Sequence, residues 1–143
     1  MDVNLQLKWQ QEVDDYADNL VNLADNALSD EMMRKLKSAR MRSAQFSNLL
    51  AVAQEAGGTE VIINWILFQT GRQETKRQWG EETKLGQTIV RNIKTIQAKG
   101  AEIAQTVYGK PSSTQIRQTQ LKLLQQYAGY LRRWFVAKGG REK

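Results

Sequence analysis

The densest set of side chains able to do acid–base or metal chemistry is the carboxylate group Glu12, Asp14, Asp15 and Asp18. On a helix, Asp14 and Asp18 stand four residues apart and share a face, a spacing that suits a magnesium ion. Such ions draw ligands from two or more elements, and no other stretch of the chain offers a matching acidic face. The group therefore reads as a solvated or partner-facing stripe, with Asp25 extending it as a protein–protein contact. The chain has no His and no Cys. That removes Cys/His zinc sites, Ser-His-Asp and Cys-His nucleophiles, His-ligated haem and disulfides. Ser, Thr and Tyr occur without a base placed to activate them, and no glycine-rich phosphate loop is present. The expectation is a protein that is not an enzyme, with no catalytic residue, no metal and no cofactor.

The cations make a stronger case. Arg34, Lys35, Lys37, Arg40 and Arg42 precede a helix, and Arg72, Lys76 and Arg77 follow an apolar stretch. Lys84, Arg91 and Lys94 share one helix face, and Lys122, Arg132 and Arg133 lie along the last helix. Lys and Arg on exposed faces contact phosphates without reading base sequence. The expected RNA-binding set is Arg40, Arg42, Arg72, Lys76, Arg77, Lys84, Arg91, Lys94, Lys122, Arg132 and Arg133. Charge is divided along the chain. Residues 1–33 hold eight acids and one base, net −7, and residues 34–143 hold twenty bases and seven acids, net +13, which together make the overall +6. Every Asp lies at or before position 30. A division of this kind fits an acidic surface that meets protein and a basic surface that meets an anion, nucleic acid foremost. Among the four tryptophans, Trp9, Trp65 and Trp134 fall in core stripes. Trp79, set among bases in TKRQWGEE, is the candidate exposed aromatic for stacking or for covering a turn.

The elements that must hold these residues are helical. With 143 residues, one proline and no alternating β-branched stretches, the chain reads as one all-α domain spanning 1–143: a compact bundle of about five helices. Its acidic first part is 1–33 and its basic remainder 34–143. Apolar residues from Trp9 to Ala27 recur at steps of three and four, which predicts one amphipathic helix from Val3 to Leu28. A short element, EMMRKLKSAR, follows Ser29. The next helix runs from about Ser38 to Ala56, with Met41, Ala44, Leu49, Val52, Ala53 and Ala56 buried, and Gly57-Gly58 ends it. The stretch VIINWILFQTGRQETKRQW is apolar on nearly all sides from Val61 to Phe68 and is expected at the enclosed centre of the bundle. A long helix starting near Glu81 and Glu82 buries Leu85, Ile89, Ile93, Ile96, Gly100, Ile103 and Val107. After the loop YGKPSST a last helix, about Ser113 to Ala137, buries Ile116, Leu123, Leu124, Tyr127, Leu131, Trp134 and Phe135. The tail GGREK is expected to fray. No signal peptide is evident, and the longest apolar stretches fall far short of the roughly 20 residues that span a bilayer. The expected location is therefore cytoplasmic, with no membrane partner.

Three segments in order resemble the small helical subunit of type III CRISPR effector complexes. They are Ser43-Ala44-Gln45-Phe46-Ser47-Asn48-Leu49-Leu50, then Trp65 through Phe68-Gln69-Thr70-Gly71-Arg72, then Leu124 through Tyr127, Tyr130, Trp134, Phe135, Lys138, Gly139 and Gly140. The family's arginine in the first segment falls on Ser47, and its tyrosine before Gly-Arg falls on Phe68; Arg72 matches. The resemblance covers roughly residues 38–143. It implies a non-catalytic, prokaryotic antiviral protein present in several copies. These would stack on neighbouring copies and on other effector subunits, and contact CRISPR RNA and target RNA through basic helix faces. The alternative reading is a stand-alone basic helical nucleic-acid-binding module or protein–protein adaptor.

Overall fold

The computed structural model describes residues 2–142, and every regular element among them is helical. Seven helices and one single turn are formed: α1 (Val3–Asp15), α2 (Ala17–Ala27), α3 (Asp30–Ser38), α4 (Ser43–Glu55), α5 (Thr59–Gly71), the turn α6 (Lys76–Trp79), α7 (Leu85–Tyr108) and α8 (Ser113–Ala137). The count exceeds the expected five because the first expected helix is divided at Tyr16 and the short element after Ser29 forms a helix of its own; the expected helix from Val61 is also broken, leaving the single turn α6. The chain turns tightly at Tyr16, whose N–H donates to the Val13 carbonyl at 3.1 Å. This bend lets α1 lie mainly on α7 while α2 lies mainly on α8. The expected helix from Val61 through Trp79 stops at Gly71, where the Arg72 backbone becomes extended (φ −74°, ψ 134°).

α7 and α8, 24 and 25 residues long, form an antiparallel hairpin on which the other helices pack. At about 1.5 Å per residue each is roughly 36 Å long. Their close approach needs a glycine: a Cβ on Gly100 would stand 2.9 Å from the Gln120 Cα. Ser112 begins α8 through a reciprocal cap. Its Oγ accepts the Gln115 N–H at 3.1 Å, and the Gln115 Oε1 accepts the Ser112 N–H at 2.9 Å. α7 begins at Leu85 instead of Glu81, because Gly80–Lys84 forms a turn. In that turn the buried Thr83 Oγ donates to the Gln78 carbonyl at 2.6 Å and accepts the Leu85 N–H at 3.1 Å.

A continuous core joins Val13, Leu20 and Ala24 to Phe46, Leu49, Ile62 and Ile66, and these to the buried faces of α7 and α8. Every member of the expected α7 stripe is buried. On α8, Leu123, Leu124, Tyr127, Leu131 and Phe135 are buried, whereas Ile116 and Trp134 are only partly so. Tyr127 receives a 2.8 Å hydrogen bond from Asn92 Nδ2, and burial pushes its phenol above the ordinary value. Two expectations are overturned. Ala44 faces outward and Phe46 takes the interior position on α4, 4.9 Å from Phe135 between ring centroids. α5 is not enclosed: Ile62, Ile63 and Ile66 face the core, but Val61, Leu67 and Phe68 are exposed, Phe68 to 59%. For Trp79 the structure decides between the two expected roles. It is buried, edge-on to Trp65 at 5.6 Å, and seals the turn against α5 instead of standing ready for stacking.

Candidate nucleic-acid interface

The candidate interface is assembled around the start of α4. α3 ends in a Schellman motif: Arg40 N–H donates to the Lys37 carbonyl at 3.1 Å and Met41 N–H to the Leu36 carbonyl at 2.9 Å. This places Arg40 in the left-handed position usually filled by glycine, with φ 64°. Arg42 then runs extended and pairs with Arg141 as an isolated parallel bridge. Ser43 N–H donates to the Arg141 carbonyl at 2.7 Å, and the Ser43 Oγ donates to the Glu142 carbonyl at 2.7 Å. The tail expected to fray is thereby held, through residue 142, beside the start of α4. Arg141 joins Arg40 and Arg42 there. Sequence reading passed over Arg141 because a Gly-Gly pair near a terminus reads as a release point; its pinning depends on Ser43, far away in the chain.

Two further arginines flank the outward face of α4. Arg132 on α8 donates from Nε to Ser47 Oγ at 2.8 Å. Arg72, the C-cap of α5, lies 5.9 Å above the Phe68 ring and pairs with Glu74 at 3.1 Å. An exposed pair of this kind contributes about 0–1 kcal/mol, so an arriving phosphate can displace the carboxylate. Arg72 shares a cleft of about 350 Å³ with Gln45, Asn48, Ala51 and Trp65. Between the two arginines α4 shows Ala44, Asn48 and Ala51, all exposed, small or amide-bearing, which leaves a backbone room to approach. Arg77 extends this region toward α3. It donates from Nη2 to the Ser38 carbonyl at 3.2 Å and pairs with Glu82 at 3.3 Å.

The remaining expected cations lie elsewhere. Lys84, Arg91 and Lys94 are exposed along α7, with Lys94 3.9 Å from Glu60. α4 and α7 both pack on α8 but make little contact with each other, so these three belong to a separate face. Lys76 is exposed on α6 beside Glu81 and Glu82. Arg133 sits 5.7 Å over the Tyr130 ring near Val21 of α2, on a different side of α8 from Arg132. Lys122 is partly buried nearer the start of α8, lining a cleft with Trp9 and Tyr108. The expected set is thus one arginine cluster, one lysine-arginine stripe and three dispersed cations, not a single surface.

The acidic residues also separate. Asp14 and Asp18 are exposed on either side of the Tyr16 bend, and Asp14 accepts a 2.8 Å hydrogen bond from Gln10. Asp25 is engaged within the chain. Lys138 Nζ pairs with its carboxylate and donates to the Asp25 carbonyl at 3.0 Å and the Leu28 carbonyl at 2.8 Å. Lys138 thereby caps α2 at its negative end. Asp25 is thus engaged in this cap, with its side chain still 42% exposed. Among the described residues no group of three His, Cys, Asp or Glu side chains is placed to hold a metal ion, and no helix is long and apolar enough to cross a membrane. No protein-family model, curated protein or solved structure matches the chain.

Proposed function

We propose that this chain is a non-catalytic small subunit of a type III CRISPR RNA-guided effector complex, present in several copies and holding guide and target RNA by their phosphates. The observation that carries this reading is the convergence of the three resembling segments. Ser43–Leu50, Phe68–Arg72 and the end of α8 are far apart in sequence, yet Phe46 packs on Phe135, Arg132 bonds Ser47, and Arg72 lines one cleft with Gln45 and Asn48. Residues brought together in this way form a surface that an RNA backbone would touch. Arg40, Arg42, Arg72, Arg132 and Arg141 would neutralise phosphates, and Asn48 would donate to a sugar or phosphate oxygen. The stripe of Lys84, Arg91 and Lys94 would serve a second strand segment or a neighbouring subunit, and the exposed carboxylates Asp14 and Asp18 a basic protein surface. In the cell such a protein would be cytoplasmic.

The test is purification of the tagged protein from its native host under mild salt, with sequencing of the RNA and identification of the proteins that accompany it. Guide-length RNAs sharing one repeat-derived end, together with larger CRISPR subunits, are the expected result. Protein free of RNA, or bound to unrelated nucleic acid, overturns the assignment and leaves the stand-alone basic module. Within a recovered complex, Arg72→Ala and Arg132→Ala should each lower the salt slope of RNA affinity by about one unit, uniformly across sequences.

A further inference from the structure

About two helical turns along the α4–α8 seam from the Arg132–Ser47 pair, the first half of α8, the end of α7, α1 and the end of α4 enclose a cleft of about 420 Å³. That volume lies in the range of pockets that take small planar ligands, about 300–1,000 Å³. Its lining is unusual for a surface cleft: two partly buried aromatics, Trp9 and Tyr108, several glutamines, one lysine, Lys122, and no carboxylate. Lys122 has no ion-pair partner among the described residues.

The polar atoms are held in place by the fold. The Trp9 indole N–H donates to Thr119 Oγ1 at 2.8 Å, which fixes the ring against α8. Gln125 spends its amide N–H on the Ala53 carbonyl at 3.0 Å, and Gln10 spends one on Asp14 at 2.8 Å, so each keeps its Oε1 as a free acceptor. The exposed Gln118 makes no side-chain hydrogen bond among the described residues and offers both donor and acceptor. Carboxamides match the paired donor and acceptor edges of nucleobases, and aromatic faces stack on bases whatever their identity. An apolar ligand would leave the amides unpaired, and an inorganic anion would use neither aromatic ring. We infer that this cleft binds an unpaired nucleobase, with Tyr108 and Trp9 supplying its apolar bed, glutamine amides meeting its edge and Lys122 taking its phosphate. The inference deepens the nucleic-acid part of the function proposed above and does not depend on the type III assignment. Bases inside a duplex are stacked and cannot enter, so the cleft selects single strands.

The experiment compares binding of the purified full-length chain to fluorescent eight-nucleotide single-stranded RNAs and to a double-stranded RNA of equal charge, at low salt. Tyr108→Ala should weaken single-strand binding about five-fold or more while leaving duplex binding unchanged, and Tyr108→Phe should restore it. Lys122→Gln, on a side chain with no ion pair among the described residues, should weaken single-strand binding by a smaller factor and lower its salt slope. Arg132→Ala should weaken both RNAs alike, so the α4 surface and the cleft are scored separately. Photocrosslinking of a 4-thiouridine oligomer should label peptides containing Tyr108 or Trp9. Titration with uridine and adenosine monophosphates distinguishes the source of the base. Affinity equal to the oligomer's keeps the base pocket and assigns it a free nucleotide, while weaker binding assigns it a strand. Wild-type single-strand affinity in both Tyr108→Ala and Lys122→Gln, or equal weakening of single and double strands by Tyr108→Ala, overturns the inference even if guide RNA accompanies the protein from the cell.

Discussion

α7 and α5 are both rich in large apolar residues, yet one hides all of its expected stripe and the other shows three of its seven large apolar side chains to solvent. α7 alternates its isoleucines with Gln, Arg, Lys and Thr at helical spacing, so only one rotation of the helix satisfies both the core and water. α5 is apolar on nearly all sides from Val61 to Phe68, with Asn64 the one polar residue among them, and carries far less contrast. Its rotation is settled by its neighbours. Gly86 and Thr70 let α7 approach one side, and the Trp79 turn caps another, so Ile62, Ile63 and Ile66 go inward while Val61, Leu67 and Phe68 stay outside. Periodic contrast, more than hydrophobic content, is what orients a helix.

Substitutions along the two helices sharpen this comparison. The largest loss is expected from Ile96→Ala on α7, where a fully buried side chain leaves a cavity worth about 2–5 kcal/mol. Chemical denaturation reads it, and a loss under about 1 kcal/mol would break the account of the α7 core. Gly100→Leu should cost about 1–3 kcal/mol by forcing α7 from α8 where a Cβ already meets the Gln120 backbone. A smaller effect, about 1 kcal/mol, is expected for Tyr127→Phe, which removes the acceptor of the Asn92 hydrogen bond and leaves that amide a 3.5 Å contact with the Leu23 carbonyl.

Tyr127 also gives the α7–α8 pairing a pH signature. Because burial raises its phenol in the folded state, the unfolded chain loses the proton first, near pH 10. The stability it contributes is complete below that pH and is lost as pH rises beyond it. Thermal melts between pH 8 and 11 should therefore fall less steeply for Tyr127→Phe than for wild type; parallel slopes would contradict the buried phenol. Smallest of all is Phe68→Ala on α5, expected within about 0.5 kcal/mol because the ring is 59% exposed. A loss of several kcal/mol there would restore the enclosed α5 expected from its sequence and erase the contrast with α7.

The candidate interface was legible in parts. Arg40, Arg42, Arg72 and Arg132 were identifiable as exposed cations from helix patterns alone, and Arg72 also from the Gly-Arg that ends α5. That Arg132 reaches Ser47, that Arg141 is pinned beside Arg42, and that Arg133 turns away toward Tyr130 were not legible. Each depends on a pairing of residues about 85 to 100 positions apart, or on the step of about 100° between consecutive residues of one helix relative to its neighbours. The cleft of Trp9, Tyr108 and Lys122 was hidden for the same reason: its lining comes from four helices, and its glutamines are scattered in the chain.

Local chemistry by itself determined that the chain is helical, where the α7–α8 loop falls, which face of α7 and most of α8 turns inward, and that the chain is divided in charge. These follow from backbone propensity, capping and periodicity, all readable within a few turns of helix. Tertiary structure alone decided the bend at Tyr16, the outward face of α5, the burial of Trp79, the engagement of Asp25 by Lys138 and the grouping of arginines around α4. Each is a choice among locally equivalent options, and only close packing against distant segments distinguishes one from another.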